Sequence, residues 1–555
     1  MRRRAKAAVR TPWFWALCAI SALAACLRFV ALGYGLPHTY NADEPHLVHM
    51  AVSFGSGSLR PYSFKYPTLW PTMLSGLYGL WFALWSVFGL RKGPLDFAAL
   101  YGFTPTGFYL IARFVAAVSS FAALVVVARA ERSNENGSRW PYGALILSCA
   151  PVLVDLAHSA KPDSLMFLFI AGAWLCALRF QSGGARGWLY ATAVLAGAAC
   201  STQYTAAPAA LIVPLAWLLR DGGRPSISWL VEAILIAAAA FFAGSPFIAL
   251  DLQRFVASWM DYADLGRLRP YDALATARTV AYNLWTYGGE GSPAGAAAVL
   301  GFGCLLLRRA RRACLVAVPI MAYFVVLSAS PDGGWQRYML GAFPALALLS
   351  SEGLELLGGK NQWRRGAVVV LVVAPGLLLS GRFVAALTLP DTRAQAEIWM
   401  KANVPAGEAI LLDQPHASPR AIPSKEQCLD LAARTAATGS PRSRLWRAMA
   451  LRHPGGGYRI YRIKRSAGDL FSSPKHVAAS QADGDSLDVR SGLDPVRAVR
   501  VSWVVTSSIG ADPRRARELA TFFSELSSGA DLVQEFPFEP GRTVGPWLRV
   551  WKLRR

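Results

Sequence analysis

The chain has 555 residues, of which 54% are hydrophobic and only 16% charged, and it carries a formal net charge of +23. That composition excludes an ordinary soluble enzyme, and the apolar residues gather in blocks of helical length, as in a polytopic helical membrane protein. The positive excess does not signal nucleic acid, because the arginines sit in short clusters between apolar runs, as the positive-inside rule expects.

The opening "MRRRAKAAVR" and the apolar run after it imitate a secretory signal, and Leu23-Ala24-Ala25-Cys26 imitates a lipoprotein cleavage site. The apolar run continues past Cys26 to about residue 33, however, giving the roughly twenty residues that a spanning helix needs. It is read as an uncleaved first transmembrane helix. Further spans are expected over 107–128, 141–158, 163–180, 188–202, 204–220, 229–248, 293–307, 313–329, 338–357 and 366–386. The segment 67–90 is also long enough to cross. Counting it would place the cluster Arg308, Arg309, Arg311, Arg312 and the cluster Lys360, Arg364, Arg365 opposite the basic N-terminus, against the charge bias that sets topology. Pro67, Pro71, Gly76 and Gly79 fit a broken or surface-lying helix instead, with Trp70, Trp81 and Trp85 as an interfacial belt. The count is then about eleven spans, with the N-terminus cytoplasmic and the C-terminus extracytoplasmic in the inner (plasma) membrane.

Residues 1–390 are expected to form the membrane domain and 391–555 a small extracytoplasmic α/β domain. "DTRAQAEIWMKANVPAGEAILLD" reads as amphipathic helix, turn and strand, and "VSWVVTSS" and "WLRVWKL" read as strands around a helix near "RRARELATFFSEL". The Arg-rich stretch 415–495 reads as loop-rich and carries no assignment. Seven of the eight cysteines lie in or beside apolar segments; Cys428 alone is in the tail, so no disulfide can form within it.

In this topology Asp43 and Glu44, the loop "HSAKPDS" (158–164), the loop 249–292 and the turn "SPDGGWQRY" (330–338) all emerge on the outer face. Lys65, Lys161 and Arg337 lie at outer membrane boundaries, where a cation can meet a lipid phosphate or simply snorkel to the interface. Asp163 opens the span that follows Lys161 and could serve only as a helix N-cap. His46 and His49 follow Asp43 at i+3 and i+6, which leaves a divalent metal open, although one helix face supplies few ligands. No other cofactor is expected.

The motifs "ADE" (42–44), "KYPTL" (65–69), "AKPD" (160–163), "CSTQYTAAP" (200–208), "GSPF" (244–247) and "RY" (337–338) occur in this order around apolar spans. Together they resemble the GT-C superfamily of glycosyltransferases, most closely the protein O-mannosyltransferase-like family, glycosyltransferase family 39, with the related aminoarabinose transferases. The resemblance covers about residues 13–410. It implies an integral-membrane inverting transferase that moves a sugar from a polyprenyl-phosphate donor in the bilayer to an extracytoplasmic acceptor: a protein hydroxyl, lipid A or an envelope glycan.

On this resemblance Asp43 matches the catalytic aspartate, Glu44 orients the acceptor or the base, and Asp163 matches the second acidic position. Lys65, Tyr66, Lys161, Gln203, Arg337 and Tyr338 are the substrate-binding candidates. Gln203 departs from the pattern, which carries a lysine there. A sugar phosphate already has a good leaving group, so a base and phosphate-binding cations suffice without a general acid. The other reading is a polyprenyl-glycolipid transporter or a non-catalytic membrane scaffold. Transport would need polar residues along a path through the bundle, whereas the charges here concentrate at the outer ends.

Overall fold

A computed structural model of the chain describes residues 12–89, 93–132, 140–264, 272–328, 336–437, 440, 442–464, 485–508 and 517–554. The basic N-terminal run, residues 330–335 of the "SPDGGWQRY" turn, and 465–484 of the Arg-rich stretch lie outside these. The fold is mainly helical. Among the described residues six helices are long and apolar enough to cross a membrane: Pro12–Phe29, Thr106–Arg132, Asp163–Gln181, Ile227–Gly244, Gln336–Gly358 and Gln362–Ala386. The other expected spans are helical but shorter, polar at one end, or interrupted. The expected spans 188–202, 293–307 and 313–329 correspond to the helices Arg186–Thr202, Ala294–Arg308 and Ala310–Ser328, while 204–220 begins as a 3-10 helix, Tyr204–Leu211, before Ile212–Leu218. Segment 67–90 forms one unbroken helix, Leu69–Val87. Pro67 precedes it and Pro71 lies in its first turn, where a missing N–H costs nothing, so neither proline breaks it.

The chain divides into two compact units. The first comprises Met1–Leu32, Arg60–Leu74 and Ile111–Val384. Its helices approach closely through glycine: a Cβ on Gly301 would fall 1.8 Å from the Leu349 carbonyl oxygen, and one on Gly353 would fall 1.9 Å from that of Ala297. Such small-residue seams let apolar helices pack where lipid gives no hydrophobic drive for association.

The expected span 141–158 is split into Tyr142–Cys149 and Pro151–Ala157. Pro151 has no N–H to give the Leu147 carbonyl, and the bend it causes leaves the next carbonyls unpaired. In hydrocarbon that would be costly, so side chains from distant helices take over. Arg28, fully buried on the first helix, donates to the carbonyls of Leu147 (3.0 Å) and Ser148 (2.9 Å) and to Ser120 Oγ (2.9 Å). Ser380 Oγ donates to the Cys149 carbonyl at 2.8 Å. The His158 ring nitrogens lie 2.8 Å from the carbonyl oxygens of Val154 and Val30, tying the end of the broken segment to the end of the first helix.

The second unit comprises Gly33–Leu59, Ser75–Leu110 and Ala385–Arg555. It is built on a six-stranded sheet of β1 (Ala409–Leu412), β2 (Arg459–Ile463), β3 (Asp485–Leu487), β4 (Trp503–Ser507), β5 (Ala530–Phe536) and β6 (Leu548–Leu553), in the order β3-β2-β1-β4-β6-β5. The first four strands are parallel; β6 runs antiparallel to β4, and β5 to β6. Side chains alternate between the faces. Ile410, Leu412 and Val505 pack with Ala396 and Met400 of the helix Thr392–Asn403, while Leu411, Tyr461 and Val504 pack with Phe522 and Leu526 of the helix Ala520–Gly529.

The Arg-rich stretch is not loop-rich throughout. It holds two packed helices, Lys425–Ala437 and Arg442–Leu451, as well as β2 and β3. The second of these helices lies on Pro94–Phe103, with Met449 so close to Gly102 that a Cβ there would sit 2.5 Å from its sulfur. Arg420 donates to the Gly102 (3.3 Å) and Phe103 (2.5 Å) carbonyls, Arg452 pairs with Asp96 at 2.6 Å, and Arg444 donates to the Ser56 carbonyl. The loop after the first helix is therefore folded into the same unit as the C-terminal residues.

Replacing Arg28 by Met keeps the bulk but takes the Arg28 donor from the buried Ser148 carbonyl, at a cost of about 1–3 kcal/mol, and leaves the Leu147 carbonyl only its 3.4 Å bond from the Ala150 N–H. The thermal midpoint of the detergent-purified variant should fall well below wild type. An unchanged midpoint would mean that Arg28 does not hold the break at Pro151.

Candidate active site

In the second unit the chain makes a hydrogen-bonded turn and enters the helix Glu44–Phe54. Asp43 occupies the N-cap position yet makes no capping side-chain hydrogen bond; its own N–H donates to Asn41 Oδ1 at 3.1 Å. Pro45 follows in the first turn, where it fits without loss. Asp43 is half-buried, whereas Glu44 is 0% exposed. Glu44 lies in electrostatic reach of Tyr109, which shares a hydrogen bond with Tyr101. A helix N-terminus favours both carboxylates.

His49, one turn further on, stacks on Tyr101 with ring centres 6.0 Å apart, and its Nε2 accepts a hydrogen bond from Arg442 Nε at 3.2 Å. Burial, then the Arg442 charge and His46, push His49 down to about 3. A ring nitrogen turned to a guanidinium is poorly placed for a cation. Among the described residues no group of three or more His, Cys, Asp or Glu side chains is placed to hold a metal ion.

The remaining candidates belong to the first unit, where hydroxyl groups join three of the motifs. In "KYPTL" the Thr68 N–H donates to Ser245 Oγ of "GSPF" at 2.9 Å, and Thr68 Oγ1 donates to the Gly244 carbonyl at 3.1 Å. Ser245 Oγ in turn lies 2.8 Å from Ser201 Oγ of "CSTQY". Aromatic rings continue the join: Phe64 packs edge-on against Phe255, and Phe255 and Trp259 pack on Tyr204. Lys65 Nζ lies 5.7 Å from the centre of the Tyr66 ring. Both residues are half-buried.

Gln203 ends the helix Arg186–Thr202 and is 6% exposed. Its side-chain oxygen and the Tyr204 hydroxyl are buried without a hydrogen-bond partner among the described residues. Lys161 and Asp163 are 5% and 2% exposed. Asp163 is the first residue of its helix, and the N-cap position belongs to Pro162. That helix packs against both 3-10 segments, Tyr204–Leu211 and Gln336–Ala342, with Thr205 Oγ1 donating to Met166 Sδ at 3.6 Å. In the second 3-10 segment Arg337 Nη2 donates to the Tyr338 hydroxyl at 2.9 Å and its guanidinium lies 4.8 Å from that ring's centre. The elements carrying Lys161, Asp163, Gln203, Arg337 and Tyr338 are thus packed on one another, while Asp43, Glu44, His46 and His49 are carried by the second unit.

Residues 97–249 match the family model described as dolichyl-phosphate-mannose-protein mannosyltransferase. This stretch contains the "AKPD", "CSTQYTAAP" and "GSPF" motifs. No curated protein matches the chain. Among solved structures, ArnT from Cupriavidus metallidurans in the apo state is 15% identical with a TM-score of 0.55, over 96% of this chain and 97% of that one. The same enzyme bound to undecaprenyl phosphate is 15% identical with a TM-score of 0.52, over 97% of this chain and 98% of that one. The chain therefore shares the fold of ArnT over nearly its whole length.

Sequence reasoning missed the side chains that hold the helical scaffold in place. Arg28 and Ser380 read as incidental polar residues in apolar runs; a fully apolar segment with an internal arginine and, elsewhere, a proline-interrupted span were the signals. The partners of the Asp43 loop in the C-terminal residues gave no local signal at all.

The depressed His49 makes a pH prediction. Unfolded, its ordinary value is near 6.5, and folded it is about 3. Between these values the unfolded chain binds the extra proton, so stability is present above pH 6.5 and is lost as pH falls toward 3. Thermal midpoints measured from pH 7 to pH 4 should fall less steeply in His49→Gln than in wild type. Equal slopes would show that His49 does not carry this acid sensitivity.

Proposed function

We propose that the protein transfers a sugar from a polyprenyl-phosphate donor to an extracytoplasmic acceptor, with Asp43 as the base. The observation that carries this reading is the Asp43–Glu44 pair: Asp43 sits half-buried at the N-cap position of a helix, and the adjacent Glu44 is wholly buried. ArnT, which has the same fold, binds undecaprenyl phosphate, and this supports a lipid-phosphate donor here.

In the reaction the acceptor oxygen attacks the anomeric carbon while the bond from that carbon to the phosphate oxygen breaks. The electron pair leaves with the polyprenyl phosphate, and the acceptor proton passes to the Asp43 carboxylate. The configuration at the anomeric carbon inverts. Lys65, Lys161 and Arg337, beside Tyr66 and Tyr338, hold the phosphate by charge-assisted hydrogen bonds. Asp163 holds the acceptor or Lys161. Gln203 gives the donor a neutral hydrogen-bonding group where the resembling family has a lysine. Acceptors that fit are a protein hydroxyl, lipid A or an envelope glycan, on the outer face of the inner membrane.

Asp43→Asn keeps size and shape but loses proton affinity, so single-turnover transfer at saturating donor should drop by about a hundred- to ten-thousand-fold with donor binding retained. Glu44→Gln should cost less, because Glu44 orients rather than accepts the proton. Full activity in correctly inserted Asp43→Asn would remove Asp43 from the chemistry.

A further inference from the structure

The five residues before the proposed base are gripped from the far end of the chain. We propose that Glu397 and Arg393, on the helix Thr392–Asn403, are positioning residues that fix the Asp43 carboxylate through His38 and Tyr40; this rests on Asp43 being the base.

Two grips act on the loop. In the first, His38, 6% exposed, contacts the Glu397 carboxylate, which also accepts from Lys401 Nζ at 2.5 Å. Burial alone would raise Glu397, but its hydrogen bonds with His38 and Lys401 outweigh burial and hold it down at about 2. It therefore stays a carboxylate at neutral pH. In the second, the Arg393 guanidinium lies 3.3 Å from the centre of the Tyr40 ring. Arg393 is itself fixed: Nε and Nη2 donate to the two Asp391 oxygens at 2.8 and 2.6 Å, and Nη1 to the His416 carbonyl at 2.6 Å. A cation over a ring face, kept from water and held by a bidentate carboxylate, is a strong and directional contact.

The two grips share a wall. The Tyr40 ring stacks on His38 with centres 5.5 Å apart and planes 17° from parallel. On the loop's own side the ring leaves no room for a side chain at Gly35, where a Cβ would come within 2.4 Å of it. From Tyr40 the path to the base is short and hydrogen-bonded, because Asn41 accepts from the Asp43 N–H through Oδ1 and from the Glu44 N–H through its carbonyl. A displacement of Tyr40 therefore moves Asp43. At a reacting centre a shift near 1 Å costs on the order of a hundredfold in rate.

The test is single-turnover transfer at saturating donor, with donor affinity measured in parallel, for Glu397→Gln, Arg393→Gln, Asp43→Asn and the doubles that combine each of the first two with Asp43→Asn. Each of the first two should lose about ten- to a hundredfold in turnover with donor affinity intact. In the Asp43→Asn background neither should cost anything more, because the group they position is already disabled. Wild-type turnover in both, with Asp43→Asn impaired, would overturn the positioning role and leave the base standing. Full activity in Asp43→Asn would instead show the base reading to be at fault. Losses that multiply in the doubles, or a parallel fall in donor affinity, would also overturn the positioning role. If Glu397→Gln or Arg393→Gln does not yield folded protein, Tyr40→Leu, which removes the ring from the loop side, is judged by the same outcomes.

Discussion

A bilayer offers no hydrogen bonds, so any break in a spanning helix must be satisfied by protein. The first unit depends on one such settlement. Pro151 breaks the segment that leads to Lys161 and Asp163, and Arg28 and Ser380 supply the donors that the helix itself no longer can. An arginine inside a membrane helix is ordinarily expensive, but here it meets backbone carbonyls that the break leaves short of donors, so its own donors are satisfied as well. The bend redirects the chain so that the loop 158–163 ends on a helix whose N-terminus begins at Asp163. The same rule explains the hydroxyls of Thr68, Ser201 and Ser245, which bond to one another and to the Gly244 carbonyl where three short motifs meet.

The second unit meets a different constraint. The segment 33–59, a turn followed by the helix Glu44–Phe54, carries two adjacent carboxylates, one of them wholly buried. Its order comes from the C-terminal residues: Glu397 and Arg393 on one part of the loop, Arg442 on His49, and Arg444 on the Ser56 carbonyl. This gives the arginines of the 415–495 stretch a physical role. They are not a solvated charge run; several are donors that dock helices onto carbonyls and carboxylates of the preceding loops. Ordering a reacting group in advance removes that entropy from the reaction step, which is the benefit such ordering would bring if Asp43 is the base proposed above.

Much of the membrane architecture was legible because hydrophobic length reports directly on spanning helices, and because "AKPD", "CSTQY" and "GSPF" each stand at a helix end. The β-branched and aromatic runs "WVVTS" and "LRVWKL" likewise marked β4 and β6. The break within 141–158 was hidden, since a count of apolar residues is blind to where a proline removes one hydrogen bond. The two helices after residue 424 were hidden because their buried faces rest on small contacts such as Cys428, Met449 and Ala450 rather than on a broad apolar stripe. At the candidate site the residue types at 43, 44, 65, 161, 163, 203 and 337 could be read locally. The contact of His38 with Glu397 could not, because neither segment carries any sign of the other.

Inverting transfer leaves a stereochemical record in its product. Purified protein given a polyprenyl-phosphate sugar of defined anomeric configuration, radiolabelled in the sugar, together with cell-envelope extract, should form a labelled product of the opposite configuration and release one polyprenyl phosphate for each sugar moved. Label that stays on the lipid, or a product that keeps the donor's configuration, would contradict single displacement by an acceptor activated at Asp43.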